Sequence, residues 1–216
     1  MVKVKRILEI LEREYPDARL VLEFKTPLQL LIATILAAQC TDERINQVTT
    51  DLFKKYQKAE DYTNVSIDAL EEDIHSTGFY KNKAKNIAGC CKKIIKDFNG
   101  EVPSTLPALV SLPGVGRKTA NIVLANAFGK PAIGVDTHVQ RVSNRLGLAH
   151  SNNPDKVEME LCNIIPEGKW IRTVHLLTFH GKRICKAKRP LCGQCILFEL
   201  CEWPDKERSC VQNLLN

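Results

Sequence analysis

No apolar run in this 216-residue chain approaches the roughly 20 residues that a membrane-spanning helix needs, so helical membrane proteins are excluded. There is no low-complexity tract and no internal repeat. No stretch reads as a convincing strand, and residues 132–135 are extended but short. The opening residues, Met1 to Arg6, run into an amphipathic helix rather than an uncharged signal core, so no export signal is expected and a cytoplasmic location is. Nine cysteines are many, but an odd number without an export signal argues against a disulfide framework. The net charge of +6 suits a polyanionic partner without requiring one.

Helical patterns fill the remainder. Val4, Ile7, Leu8 and Leu11 make the apolar stripe of a first helix that ends before Pro16. Thr26 caps a second, with Pro27 at its first position. That helix, expected over 28–38, is apolar almost all round, as a centrally buried helix should be. Thr41 starts a third helix and Ser66 a fourth that Gly78 ends; a fifth over 82–98 stops at Asn99-Gly100. A short helix over 104–111 precedes a tight glycine turn and a strongly helical run to Phe128, closed by Gly129. Asp136 or Thr137 starts the next, Asn153-Pro154 another, and residues 167–180 a last long one before Gly181. The expectation is an all-α chain with short loops between antiparallel neighbours.

Three constellations carry chemistry. The first is the turn Pro113-Gly114-Val115-Gly116-Arg117-Lys118. Glycines without side chains let an anion approach the backbone, and the N–H groups and dipole at a helix start attract it. Gly-x-Gly alone would be an ordinary interhelical turn; Arg117 and Lys118 set two cations beside it. Lys118 can be read from the residues alone as a phosphate contact or as a nucleophile. Attack needs the neutral amine, and an ordinary lysine with pKa near 10.4 pays about 4–5 kcal/mol to lose its proton at pH 7. A neighbouring arginine, a positive helix start and burial all favour the neutral form.

The second is Gly134-Val135-Asp136-Thr137-His138-Val139. Asp before a helix is an ordinary N-cap, and capping would also fix the carboxylate and keep it ionised. A lone helical histidine such as His138 is more often structural than a proton shuttle. The third is the spacing C-x6-C-x2-C-x5-C of Cys185, Cys192, Cys195 and Cys201, which points to a metal centre. A four-cysteine zinc site is the generic alternative, but zinc sites pair two short knuckles and only one close pair is present here. Cys40, Cys90, Cys91 and Cys162 read as core or near-core thiols.

Residues 112–128, the Val-Asp-Thr-His stretch and the cysteine spacing together resemble the endonuclease III family of helix-hairpin-helix DNA glycosylases, over about Pro27 to Cys201. The resemblance implies two helical domains, one over 20–130 carrying the hairpin and one formed by 1–19 with 131–216, with an active site in the cleft between them. It implies a [4Fe–4S] cluster on Cys185, Cys192, Cys195 and Cys201, holding Lys186, Lys188 and Arg189 as a rigid phosphate-binding patch. Gly114, Val115, Gly116 and Arg117 would bind the DNA backbone. Lys118 would be the catalytic lysine. Asp136 would assist departure of the base and movement of protons. Gln39 would enter the gap left by an extruded nucleotide, and Phe79 or Tyr80 would wedge the opposite side, where aliphatic residues are common in the family; the alternative is that both rings are core.

The implied function is bifunctional: excision of oxidised pyrimidines from duplex DNA and β-elimination at the abasic site, by a nucleoid-associated monomer. Adenine glycosylases of the superfamily carry a glutamate in the helix before Gln39, and residues 28–38 contain no acid. Mismatch thymine glycosylases replace the hairpin lysine, which is present. A non-enzymatic DNA-binding module is disfavoured by Lys118 and Asp136 occurring together.

Overall fold

The computed structural model describes residues 2–214, all helix, turn and loop, with no strand among them. Helix α1, Val2–Glu14, buries Val4, Ile7, Leu8 and Leu11 on one face, and Tyr15 follows into the same core. After Arg19 the chain enters a second compact unit, Leu20–Lys130, and returns to the first from Pro131 onward.

The second unit is built on α2, Pro27–Leu36, in which Leu30 through Leu36 are all buried. Thr26 caps it, its hydroxyl accepting from the Gln29 amide at 3.2 Å. The helix stops two residues short of the expected end. Gln39 takes the left-handed conformation at φ 54°, which reverses the chain before α3, Asp42–Lys55. The acids Asp42 and Glu43 open α3, and Lys54 and Lys55 close it, each at the dipole end that favours it. The short α4, Ala59–Asn64, has no counterpart in the sequence reading. It buries only Ala59 and Tyr62, too few positions for a helical period to register, and Tyr62 stacks on Tyr56 with ring centroids 4.9 Å apart. Helix α5, Ile67–Asp73, starts at the Ser66 cap, and a 3₁₀ turn at His75–Thr77 leads through Gly78 into α6, Tyr80–Phe98. Asn99 and Gly100, both left-handed, end α6 as expected. Helix α7, Leu106–Val110, and α8, Arg117–Phe128, flank the glycine turn, and Gly129 at φ 62° ends α8.

The first unit adds α9, Thr137–Arg145; α10, Pro154–Ile164; α11, Trp170–Arg183; and α12, Lys206–Leu214. Ile7, Leu11, Val139, Val142, Leu161 and Leu176 meet in its core. Gly181 does not end the last long helix. It lies inside α11, where a methyl group would stand 2.9 Å from the His138 Cβ, so glycine is what lets α9 and α11 pack closely. Among the described residues, no helix is long and apolar enough to cross a membrane.

Candidate functional site

The two glycines of the hairpin turn do different work. Gly114 is left-handed at φ 75°, and a Cβ there would stand 2.8 Å from Asn86 Cβ on α6. Gly116 would meet nothing within 4 Å, so its face of the turn is open to a ligand. Val115, 5% exposed, plugs the turn into the core, and its amide donates to the Leu112 carbonyl at 3.1 Å. No side chain caps the start of α8 at Gly116, which leaves the positive helix end facing outward. Arg117 and Lys118 lie on the first turn, both exposed. The burial expected to favour a neutral Lys118 is therefore absent from this chain alone: the first turn of α8 projects beyond the core that Ala120 and Val123 enter.

Gln39 and Phe79 share an unusual property, since both are non-glycine residues in the left-handed region, at φ 54° and 49°. Such conformations cost about 1–3 kcal/mol each and concentrate at functional sites. Phe79 is 64% exposed and so is not a core ring. Tyr80 is half-buried, its ring 4.4 Å from that of His75. Sequence reasoning missed Lys83. It is buried beneath this turn, and its Nζ donates to the Thr77 carbonyl at 2.8 Å, fixing the backbone just before Gly78 and Phe79. Burial pushes its pKa below the ordinary lysine value.

In the first unit, Asp136 caps α9. Its Oδ1 accepts from the Val139 amide at 2.7 Å, and the residue is half-buried. His138 packs on Gly181, with Arg141 Nη2 3.2 Å from its Nδ1. Burial pushes the His138 pKa down, opposed by the nearby Asp136 carboxylate.

Cys185, Cys192, Cys195 and Cys201 line one small cavity, with Arg145 and His180 among its other walls. Among the described residues no three or more His, Cys, Asp or Glu side chains converge to hold a single metal ion. Four thiols around one cavity are the donor set of a four-iron cube, in which each sulfur binds a different iron. Burial pushes Cys192 and Cys195 up to about 11, so they would release protons as metal binds. The donor set fits the cluster. Two arginines one turn apart on α9 clamp the loop, a role that their i, i+4 spacing alone does not announce. Arg141 Nε donates to the Cys185 carbonyl at 2.9 Å, and Arg145 Nη1 donates to the Lys186 carbonyl at 2.9 Å while its guanidinium lies 3.9 Å over Trp203. Lys186, Lys188 and Arg189 are left exposed on this pinned backbone. Of the other cysteines Cys90 and Cys91 are buried, while Cys40 and Cys162 are half-buried.

Comparison with known proteins agrees with this geometry. The family described as HhH-GPD superfamily base excision DNA repair protein matches residues 32–167, and the iron–sulfur binding domain of endonuclease III matches residues 185–201. Endonuclease III of Synechocystis sp. is 50% identical over 201 residues, covering 92% of this chain and 91% of the relative. That of Escherichia coli is 41% identical over 209 residues, covering 95% and 99%. The structure of a trapped endonuclease III–DNA covalent intermediate superposes with a TM-score of 0.91 at 46% identity, covering 95% of this chain and 97% of that one. A thermostable thymine-DNA glycosylase gives 0.83 at 27% identity, covering 94% and 97%. A hairpin unit joined to an iron–sulfur loop thus defines a base excision DNA repair protein. The chain belongs to the endonuclease III family. It is a DNA glycosylase with abasic-site lyase activity, it acts on DNA, and it carries a [4Fe–4S] cluster.

Proposed function

We propose that this enzyme excises oxidised pyrimidines from duplex DNA, with Lys118 as nucleophile, and that it works as a monomer on damaged or abasic duplexes in the cytoplasmic nucleoid. A base must leave the stack before chemistry can reach it, at a cost of a few kcal/mol that is least for damaged bases. Phe79, exposed and held left-handed, would wedge the opened stack, and Gln39 would fill the space vacated. The Gly114 and Gly116 amides, Arg117, and the Lys186, Lys188 and Arg189 loop would hold phosphates without reading sequence, while Val115, its amide bonded to the Leu112 carbonyl, would anchor the turn.

The Lys118 amine would attack C1′ of the extruded nucleotide. The C1′–base bond breaks, the base leaves with its electron pair and takes up a proton, and loss of a proton from nitrogen with ring opening gives an imine. Abstraction of a C2′ proton then expels the 3′ phosphate and cuts the strand. The Asp136 side chain, held by its cap bond, would stabilise positive charge on the sugar as the base departs. Lys118 is exposed in the free protein, so its amine is open to the extruded nucleotide. Cys185, Cys192, Cys195 and Cys201 would ligate the cluster, which supplies a rigid structural anchor for the basic loop.

The observation that carries this reading is Lys118 on the exposed first turn of α8, directly after the open face of Gly116. An adenine glycosylase would need an acid on α2, whose sequence Pro27–Leu36 has none. The test is an excision screen over duplexes carrying different damaged bases. Oxidised pyrimidines should be released and the strand cut on the 3′ side. Release of mismatched thymine or adenine alone, with the strand left intact, would refute the reading.

A further inference from the structure

Tyr15, His180 and Cys195 form a line from the end of α1, through α11, into the cysteine cavity. Tyr15 Oη lies 3.1 Å from His180 Nδ1, and His180 Nε2 lies 3.6 Å from Cys195 Sγ. Tyr15 is 2% exposed and His180 is 1% exposed, so water does not compete for either ring. The packing around the pair is extensive. Phe179 and Arg183 flank the tyrosine ring, and Arg172 Nη2 donates to the Tyr15 carbonyl at 2.9 Å.

The chemistry of the line fixes its proton positions. A neutral imidazole has one N–H and can donate at one end only. A cysteine sulfur bound to iron has lost its proton and can only accept. The ring hydrogen must then sit on Nε2, facing the sulfur. Nδ1 is left as an acceptor, and the tyrosine hydroxyl is the donor that occupies it. With phenylalanine at position 15, Nδ1 would be a buried acceptor with no partner in this line, and the tautomer that donates to sulfur would lose that support.

We propose that Tyr15 and His180 are a positioning pair for the cluster: Tyr15 holds the His180 tautomer whose Nε2–H donates to Cys195 Sγ, and that hydrogen bond raises the cluster's reduction potential. The inference rests on Cys195 being a ligand. Hydrogen bonds to ligand sulfurs are among the features that set iron–sulfur potentials. An added electron increases negative charge on the sulfurs, which strengthens a bond donated to them, so the reduced form gains more than the oxidised form. Arg145 Nη1 makes a comparable contact to Cys185 Sγ at 3.4 Å, but from a half-buried guanidinium also engaged by two backbone carbonyls. Of these two side-chain donors, His180 is the one wholly enclosed by protein.

The test is the midpoint potential of the holoprotein by direct voltammetry, with iron and sulfide counted in every sample. Tyr15→Phe keeps the ring and its packing. His180→Leu removes the donor, and the double variant combines them. His180→Leu should shift the one-electron reduction equilibrium about tenfold toward the oxidised form, about 59 mV lower. Tyr15→Phe should move it the same way by a smaller factor, and the double variant should match His180→Leu alone, because Tyr15 acts only through the histidine. A fully loaded Tyr15→Phe protein at the parent potential would overturn the proposal, and so would single shifts that add in the double variant. If His180→Leu does not hold its cluster, Tyr15→Phe against the parent decides the matter. Cys195→Ala separates the underlying assumption: full iron and sulfide in that variant would mean that Cys195 is no ligand, which overturns the pair's role for a different and recognisable reason.

Discussion

Gly181 on α11 lies against His138 on α9 so closely that a Cβ at 181 would stand 2.9 Å from the histidine Cβ and 3.1 Å from its Nδ1. Neither helix can retreat cheaply, because Val139 and Val142 on one and Leu176 and Leu177 on the other are buried in the same core. Gly181→Ala should therefore lower unfolding stability by about 1–3 kcal/mol, the usual cost of overpacking, as read by urea denaturation of the holoprotein. Gly168→Ala, where a Cβ meets nothing within 4 Å, is the control and should change stability by less than about 1 kcal/mol. Equal losses in the two variants would mean that the helix contact is not the cause.

That glycine shows where sequence reading stops. Capped helix starts were legible because the signal is local: Thr26, Thr41, Ser66, Asp136 and Asn153 all accept from an amide of the first turn. The hairpin turn and the four-cysteine spacing were legible for the same reason. Gly181 looked like a helix stop because glycine's tertiary use, close approach of another helix, leaves no trace in its neighbours. Helix α4 is too short to show a period. Arg141 and Arg145 clamp carbonyls 40 or more residues away, Lys83 spends its charge on a buried carbonyl, and Lys118 is exposed where burial was expected. Each of these depends on contacts that spacing does not encode.

Asp136→Asn separates capping from catalysis. Asparagine caps as well as aspartate, so stability should change by less than about 1 kcal/mol, the scale of a lost helix-dipole interaction. DNA binding should persist, while base excision slows by roughly two or more orders of magnitude. A single-turnover assay with a damaged-base duplex reads this directly. Excision at the parent rate would reduce Asp136 to a cap.

Phe79→Ala removes a ring that is 64% exposed, so the fold should lose little. Affinity for a duplex with an abasic site should fall by about 1–3 kcal/mol, the scale measured for base stacking on an aromatic ring, when compared by titration under one salt condition. Tyr80→Phe, which keeps the ring against His75, should bind as the parent does. A loss confined to Tyr80 variants would transfer the wedge role to that residue.

The purified protein should hold close to four irons and four sulfides per chain, the content of one [4Fe–4S] cluster. Stoichiometric zinc without sulfide, after anaerobic handling, would contradict the assignment. Replacing Lys186, Lys188 and Arg189 one at a time should weaken binding to all duplexes alike and lower the salt dependence by about one phosphate contact each. Cys192→Ser should release the same loop and reduce DNA affinity before it alters chemistry at a bound abasic site.

The most direct test of the central claim is borohydride trapping at Lys118. An imine between the lysine amine and C1′ is reducible, so protein should become covalently joined to damaged-base and abasic duplexes but not to undamaged DNA. Lys118→Gln removes the amine and leaves Arg117 and the open turn at Gly116, so it should abolish trapping and strand cutting while still binding abasic DNA. Peptide mapping of the parent adduct should place the reduced sugar on Lys118. A Lys118→Gln protein, free of contaminating nuclease, that traps and cuts at the parent rate would contradict the account and return this lysine to a phosphate contact.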